Sequence, residues 1–161
     1  MTDQDEARIW DIVDRVRICM VATHDGGAIR ARPMIALNDR DDGCIWFLSD
    51  ARTHKEGEIR DDPRACVTFS APDNGDYLAL SGRIASTAER QRIAELWNPG
   101  ADAWFPGGAG DPNVRALCFE PEQAEYWDEP GNQMAMKVEL DRARQRGERP
   151  QIGAHGKVTL G

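Results

Sequence analysis

A short stretch of the chain, from Arg30 to Lys55, combines basic and hydroxyl-bearing residues with two apolar, strand-like segments. These segments lead into a helix start at Thr53, and Glu56 three residues later gives the spacing of a capping box. The unpaired N–H groups in the first turn of a helix attract anions, and Lys55 adds a full positive charge beside them. The spacing therefore predicts a phosphate site at the start of this helix.

Further phosphate ligands lie on the two strands that precede the helix. Arg32 can bind a phosphate through two parallel hydrogen bonds, and Ser49 adds a hydroxyl close to Thr53. The apolar segment 33–37 directly after Arg32 suits the wall of a pocket for a flat ring. A hairpin followed by a capped helix with ordinary surface charges would have the same spacing, so the residues alone leave both interpretations open.

Composition limits the kinds of partner that the chain can have. With 161 residues, of which 40% are hydrophobic, it is long enough for one domain with a real core. The 28 acidic and 20 basic residues give a net charge of −8, which argues against a nucleic acid or an anionic membrane as partner. Neither a leader nor an apolar run near the ~20 residues of a membrane span is present, so we expect a cytoplasmic protein.

The cysteines favour a reducing compartment. They lie far apart in apolar, strand-like segments, without a Cys-x-x-Cys pair, and the scattered histidines complete no metal-ligand spacing with them. The four are Cys19, Cys44, Cys66 and Cys118. We therefore expect buried free thiols in preference to disulfides or a metal site.

The elements that must position the phosphate site are mostly short strands. We predict helices over 4–17, 53–61, 88–97 and 133–146, and strands over 18–23, 28–37, 44–49, 65–70, 77–86, 114–119, 124–128 and 157–160. Turns at this frequency favour a small antiparallel barrel, closed or split, over a parallel sheet. Gly82, inside the strand predicted over 77–86, indicates a bulge or a close backbone approach. The fold class is thus mainly β with flanking helices (α+β), with residues 1–130 as the barrel domain and 131–161 as its C-terminal extension.

A long segment over 98–113 holds four glycines, three prolines and the adjacent aromatic residues Trp104 and Phe105. Loops of this length in a compact domain are usually functional or mobile. The two aromatic side chains either fold back onto their own core or cover a ligand or a partner subunit.

Several short motifs occur in an order known from one family: 32–34 (Arg-Pro-Met), 46–49 (Trp-Phe-Leu-Ser), 53–55 (Thr-His-Lys), 62–63 (Asp-Pro), 104–108 (Trp-Phe-Pro-Gly-Gly), 111–112 (Asp-Pro) and 125–128 (Glu-Tyr-Trp-Asp). Through the first four, the chain resembles the pyridoxamine 5'-phosphate oxidase-like, FMN-binding split β-barrel proteins. The last three are similar to the general stress protein 26 branch of that family. The resemblance covers most of residues 5–130.

The resemblance implies FMN, or alternatively FAD, bound at the interface of a homodimer. It matches Lys55 to the phosphate-binding lysine, while His54 stands where the oxidases have an arginine. Trp127 matches an aromatic residue that packs near the flavin from the other subunit, and for Trp104 the resemblance favours covering a ligand or a partner. The cofactor-binding residues that we expect are Arg32, Pro33, Met34, Ile35, Leu48, Ser49, Thr53, His54, Lys55, Trp104 and Trp127.

The resemblance supports the cofactor better than any one reaction. Where the vitamin oxidases hold their phosphate substrate with an Arg-x-His motif, this chain has Gln-Met-Ala at 133–135, and no independent catalytic or metal motif is present. We expect a flavin-dependent oxidoreductase for an unidentified small molecule, in a stress-related role. A non-catalytic flavin-binding or flavin-sensing stress protein is the alternative. A haem-binding relative and a true pyridoxamine 5'-phosphate oxidase rank lower.

Overall fold

A computed structural model of the protein describes residues 3–39, 42–128, 133–151 and 154–160. In chain order, the elements are α1 (Asp3–Val16), β1 (Ile18–Asp25), β2 (Ala28–Ile35), β3 (Leu37–Asp39), β4 (Cys44–Asp50), α2 (His54–Asp61), β5 (Arg64–Ala71), β6 (Asp76–Thr87), α3 (Arg90–Leu96), α4 (Pro99–Trp104), β7 (Val114–Asp128), α5 (Gln133–Arg146) and β8 (Ala154–Thr159). Every strand pairing is antiparallel, and the mainly β fold with flanking helices is confirmed. None of the helices in these ranges is long and apolar enough to cross a membrane.

The strands form one sheet in the order β2-β1-β5-β6-β7-β4-β3, with β8 added beside β7. The longest strand, β7, pairs with β6 along nearly its whole length, with β4 along its first half and with β8 along its second half. The two outermost strands of the path, β2 and β3, are neighbours in sequence. The segment 32–37 carries predicted phosphate and ring contacts. It therefore lies where a short connection joins the two ends of the sheet.

The inner face of the sheet is filled by a single large core. Its largest fully buried side chains include Phe47, Phe69 and Phe119. Helix α1 packs onto this core through Ile9 and Val13, which lie on one face because they are four residues apart. Trp10 is also buried there.

A second apolar cluster lies on the opposite face of β4. We call it the outer cluster, and it consists of Cys44, Trp46, Ile93, Val114 and Ala116. Alternation along β4 explains the division, since Ile45 and Phe47 belong to the inner core while the flanking residues face outward. β4 is therefore covered on both faces.

Gly82 allows a bulge in β6, as its position in the sequence predicts. The register between β6 and β7 shifts between Ser81 and Gly82, opposite Pro121. A Cβ atom added at Gly82 would lie 2.1 Å from the carbonyl oxygen of Glu120. Because this approach is closer than any side chain tolerates, glycine is required.

Three predicted boundaries were wrong for reasons of long-range pairing. The strand predicted over 28–37 breaks at Ala36, whose N–H donates to the carbonyl of Arg17 at 2.7 Å and not to a neighbouring strand. The strands predicted over 114–119 and 124–128 are one strand, since the Gly82 bulge accommodates Pro121 without ending the pairing. At the C-terminal end, α5 matches its prediction, and the edge strand covers 154–159 instead of 157–160.

Candidate functional site

Lys55 lies in the first turn of α2 and reaches back to the end of β4. Its Nζ donates to Ser49 Oγ at 2.6 Å and to Thr53 Oγ1 at 3.3 Å. Burial, together with the nearby charge of Arg32, lowers the pKa of Lys55 against the opposing effect of Glu56. A half-buried ammonium group whose hydrogen-bond partners are hydroxyls is well suited to receive an anion.

Thr53 occupies the N-cap position of α2, but the predicted capping box is wrong. The side chain of Thr53 makes no cap hydrogen bond, because its hydroxyl donates to the carbonyl of Asp50 at 2.8 Å. The other half of the box, Glu56, has a buried Oε1 without a hydrogen-bond partner among the described residues. The hydroxyl of Thr53 is therefore oriented toward Lys55 and β4 instead of toward the helix.

Arg32 points into the end of the barrel and binds a buried carboxylate. Its Nη2 donates to Glu58 Oε2 at 2.7 Å, and its Nη1 donates to Thr23 Oγ1 at 2.6 Å. Only 2% of the Glu58 side chain is exposed. Burial raises the pKa of Glu58, but hydrogen bonds from Thr23 and Arg32 outweigh it and leave that pKa below its usual value. We refer to Arg32, Ser49, Thr53 and Lys55 together as the basic cradle.

His54, predicted as a phosphate contact, faces carboxylates instead. Its Nε2 lies 3.1 Å from Asp25 Oδ1 and 3.7 Å from Glu58 Oε1. The ligand atoms of these three residues lie close enough together to hold a metal ion. Arg30 and Arg32, however, already form ion pairs with the two carboxylates. His54 therefore belongs to an ion-pair network beside the basic cradle.

An apolar cleft of about 240 Å³ opens next to the cradle, between the 33–37 segment, β4 and α4. Five predicted site residues line it: Pro33, Met34, Ile35, Leu48 and Trp104. Leu37, from the segment expected to form the wall, and Phe105, from the expected loop, also line it. Asn98, Gly100 and Ala101 were not expected at the site. The cleft and the cradle share two strands, since Arg32 and Ser49 belong to the cradle while their neighbours Pro33 and Leu48 line the cleft.

The wall formed by α4 lies in the segment expected to be a loop. Asn98 caps this helix by accepting a hydrogen bond from the N–H of Ala101 at 3.2 Å, and Pro99 takes the first helical position. An asparagine cap followed by proline is a recognised helix start, so this signal was present in the sequence. The abundance of glycine and proline concealed it.

The two aromatic residues at the end of α4 behave differently. Phe105 folds back and packs against Trp97, with ring centroids 6.0 Å apart. Trp104 is 75% exposed at the mouth of the cleft. The first alternative, packing onto the chain's own core, therefore holds for Phe105 and not for Trp104.

Trp127 is not brought to the cleft within one chain. It lies on β7 twelve residues beyond Arg115, which pairs with Ser49, and twelve residues of extended strand span roughly 40 Å. There it stacks on the ring of His155, with centroids 5.2 Å apart. His155 also lies 2.7 Å from a carboxylate oxygen of Glu125.

The fold and the site define a class of protein: an antiparallel split barrel with a cationic cradle and an apolar cleft at the open end. The family model described as pyridoxamine 5'-phosphate oxidase like matches residues 4–151, so the chain belongs to that family. A crystal structure described as a general stress protein 26 from Jannaschia sp. CCS1 is 30% identical, with a TM-score of 0.76. The match covers 99% of this chain and 100% of that chain.

Two further comparisons show how widely the fold is shared. A structure described as the general stress FMN/FAD binding protein of Xanthomonas citri is 23% identical, has a TM-score of 0.70 and covers 99% of this chain and all of its own. Protein bli-3 of Neurospora crassa is 23% identical over 121 residues, or 68% of this chain. The matched segment spans 58% of the length of that relative.

Proposed function

We propose that the protein binds FMN, with the phosphate in the basic cradle and the isoalloxazine ring against the apolar cleft. The observation that carries this proposal is the pair of hydrogen bonds from Lys55 to hydroxyls, together with an apolar cleft lined by Pro33 and Leu48, the sequence neighbours of Arg32 and Ser49. A dianionic phosphate fits an ammonium group and two hydroxyls, and a flat ring fits the apolar wall. The FMN/FAD-binding description of the Xanthomonas citri structure supports the same ligand.

FAD is the alternative ligand, because it contains the same isoalloxazine and ribityl groups. In either case the flavin supplies the redox chemistry when it is bound. The residues of the chain bind and orient it: Lys55 holds the phosphate, Arg32 is fixed by Glu58, and Leu48 packs against the ring.

The flavin site is completed in a homodimer. The cleft of about 240 Å³ is smaller than the usual range of ligand pockets, roughly 300–1,000 Å³. Next to it, the outer face of β1 and β2 exposes a row of apolar side chains: Ile18, Met20, Ile29 and Ile35. Because Ile18 pairs with Ile35 and Met20 pairs with Pro33, this row continues into the cleft.

A second copy of the chain would bury this apolar face and close the cleft. Two-fold symmetry uses the same patch on both subunits, so one interface would close two clefts. It would also bring the partner subunit's Trp127 near the flavin of the first subunit, whereas within one chain Trp127 lies far from the cleft.

The dimer is tested by its mass in solution. Light scattering should give about twice the 17.9 kDa chain mass. Ile29→Glu, which places a charge in the exposed row, should shift the protein toward monomer, and a monomeric wild type with full FMN affinity would contradict the dimer.

The reaction that we propose is a flavin-dependent oxidoreduction of a small molecule in a stress-related role. The second candidate is a non-catalytic flavin-binding or flavin-sensing protein, and one observation favours it: apart from Asn98, the described cleft lining has no polar side chain. All four cysteines are free, which supports a location in the reducing cytoplasm. Electron transfer from the reduced protein to small acceptors, measured by stopped flow, separates the two candidates.

Comparison of FMN with riboflavin tests the cradle, because riboflavin lacks the phosphate. We expect apo-protein to bind FMN ~10- to 100-fold more tightly, as one charged hydrogen bond contributes about 1.5–3 kcal/mol. Lys55→Ala should remove most of this preference and leave riboflavin binding unchanged. Lys157→Ala is the matched control, since Lys157 is an exposed lysine on β8. Equal affinity of the wild type for both flavins would place the phosphate elsewhere.

A further inference from the structure

Two cysteines that are far apart in sequence meet on the outer face of the sheet. Cys118 Sγ lies 2.8 Å from Cys44 Sγ, although the residues are 74 positions apart. β4 and β7 pair so that Cys118 stands opposite Trp46, which makes Cys44 its diagonal neighbour. Cys44 begins β4, about five residues or roughly 17 Å of strand before Ser49 of the basic cradle. This pair is therefore separate from the proposed phosphate site.

A carboxylate lies close to both sulfur atoms. Glu120 lies two residues beyond Cys118, on the same face of β7, because side chains alternate along a strand. One of its carboxylate oxygens and both sulfur atoms lie within 4.8 Å of one another. Cys44 is buried, Cys118 is half-buried and Glu120 is exposed. The group is therefore accessible to solvent on the side of Glu120.

A second carboxylate is held over the same group. Asp42 Oδ1 accepts a hydrogen bond from the N–H of Cys44 at 2.9 Å, and Asp42 Oδ2 accepts one from Trp46 Nε1 at 3.0 Å. Among the residues that the structure describes, one cation faces the group: Arg92 lies 3.6 Å from Asp42 Oδ2 and stacks over the ring of Trp46. With two described carboxylates and one guanidinium beside two thiols, the group favours an additional cation.

We propose that Cys44, Cys118 and Glu120 form a binding site for a thiophilic divalent cation such as Zn²⁺. Two thiolates and a carboxylate are a ligand set that zinc accepts, and Asp42 or a water completes the tetrahedron. On binding, the cation replaces two thiol protons, which pass to solvent as two S–H bonds are exchanged for two metal–sulfur bonds. Zn–S bonds of about 2.3 Å require sulfur atoms about 3.8 Å apart, so the side chains must separate by roughly 1 Å.

Oxidation of the pair to a disulfide is the competing outcome. A two-electron oxidant such as hydrogen peroxide would join the sulfurs and release two waters. Reactive cysteines, however, lie in electropositive surroundings, whereas two carboxylates adjoin this pair. The negative charge beside the pair favours a cation over an oxidant.

Cobalt titration tests the site, because thiolate-to-Co²⁺ charge transfer absorbs in the near ultraviolet and reports sulfur ligation. Reduced wild-type protein should develop this band at one equivalent of Co²⁺ and lose it when Zn²⁺ is added. Cys44→Ser and Cys118→Ser should abolish the band. Glu120→Gln, a change at an exposed residue, should weaken Co²⁺ binding at least ~10-fold, the lower end of the effect of losing a group that supports a metal.

Cys66→Ser is the matched control, because Cys66 is a half-buried free thiol on β5, and it should bind Co²⁺ like the wild type. Zn²⁺ should also raise the melting temperature of the wild type, with and without FMN, and raise it less in Glu120→Gln at the same concentration. Absence of the charge-transfer band, or its equal loss in Cys66→Ser, would overturn the proposal. If the protein is isolated with a disulfide between Cys44 and Cys118 and responds to metal only after reduction, the disulfide would replace the metal site as the interpretation of this pair.

Discussion

Arg32 and Glu58 form an ion pair that ties β2 to α2 under the proposed phosphate site, with Nη2 and Oε2 2.7 Å apart. The carboxylate is nearly inaccessible, with 2% of its side chain exposed, against 23% for the arginine. From the sequence, Arg32 was expected to act on the phosphate alone. The structure gives it a second role, since it neutralises a charge that the fold has buried.

Arg32→Ala should therefore weaken the fold as well as FMN binding. Removing one partner of a buried pair leaves an uncompensated charge, and allowing for the partial exposure of Arg32 we expect a loss of about 2–3 kcal/mol in unfolding free energy. Urea denaturation measures it. The double variant Arg32→Ala/Glu58→Gln should be more stable than Arg32→Ala alone, because the buried charge is then absent. An Arg32→Ala protein as stable as the wild type would show that Glu58 is not charged there.

As the pH rises, FMN affinity should begin to fall at a lower pH than it would if an ordinary lysine bound the phosphate. Burial lowers the pKa of Lys55, so the ammonium loses its proton at a lower pH than an ordinary lysine does, and the phosphate then loses its cation. Fluorescence titrations between about pH 7 and pH 10 would follow the decline. Lys55→Arg should remove it, because a guanidinium keeps its charge throughout this range. The same decline in Lys55→Arg would assign the titration to another group.

Gly82→Ala should destabilise the protein by about 3 kcal/mol or more. The added Cβ would lie 2.1 Å from the carbonyl oxygen of Glu120, and backbone on both strands would have to move. Gly27→Ala is the control, since no atom lies within 4 Å of its added Cβ, and its effect should stay within about 0.5 kcal/mol. Thermal melts of the two variants in parallel provide the measurement. Similar melting temperatures would mean that β6 shifts its register freely.

Pyridoxamine 5'-phosphate should not be turned over. Gln133 and Ala135 stand where the vitamin oxidases carry the arginine and histidine of their substrate site, and these residues cannot replace charged hydrogen bonds worth roughly 1.5–3 kcal/mol each. Aerobic incubation of the FMN-loaded protein, with detection of pyridoxal 5'-phosphate, decides this. A true oxidase run beside it serves as the positive control, and steady turnover by this protein would make it a vitamin oxidase.

Local patterns predicted those parts of the fold and site that depend on local sequence. The apolar run over 44–49 predicted β4, and the segment 33–37, expected as a pocket wall, supplies four lining residues of the cleft. Glu58 was missed because its importance depends on Arg32, which reaches it from a strand that precedes it by more than twenty residues. The meeting of Cys44 with Cys118 follows from the register between β4 and β7, which no spacing within either strand specifies.

Pro33 in the edge strand β2 limits the addition of further strands, which is how fibres grow. β2 is an outermost strand in the described sheet, and Pro33 lies within it, opposite Met20. Proline is accommodated in edge strands because its missing N–H then falls on the open side, where an added strand would lack a donor. The same strand exposes Ile29 and Ile35, side chains that promote aggregation when backbone pairing is also available. The chain can therefore display an apolar surface while resisting strand-by-strand growth at this edge.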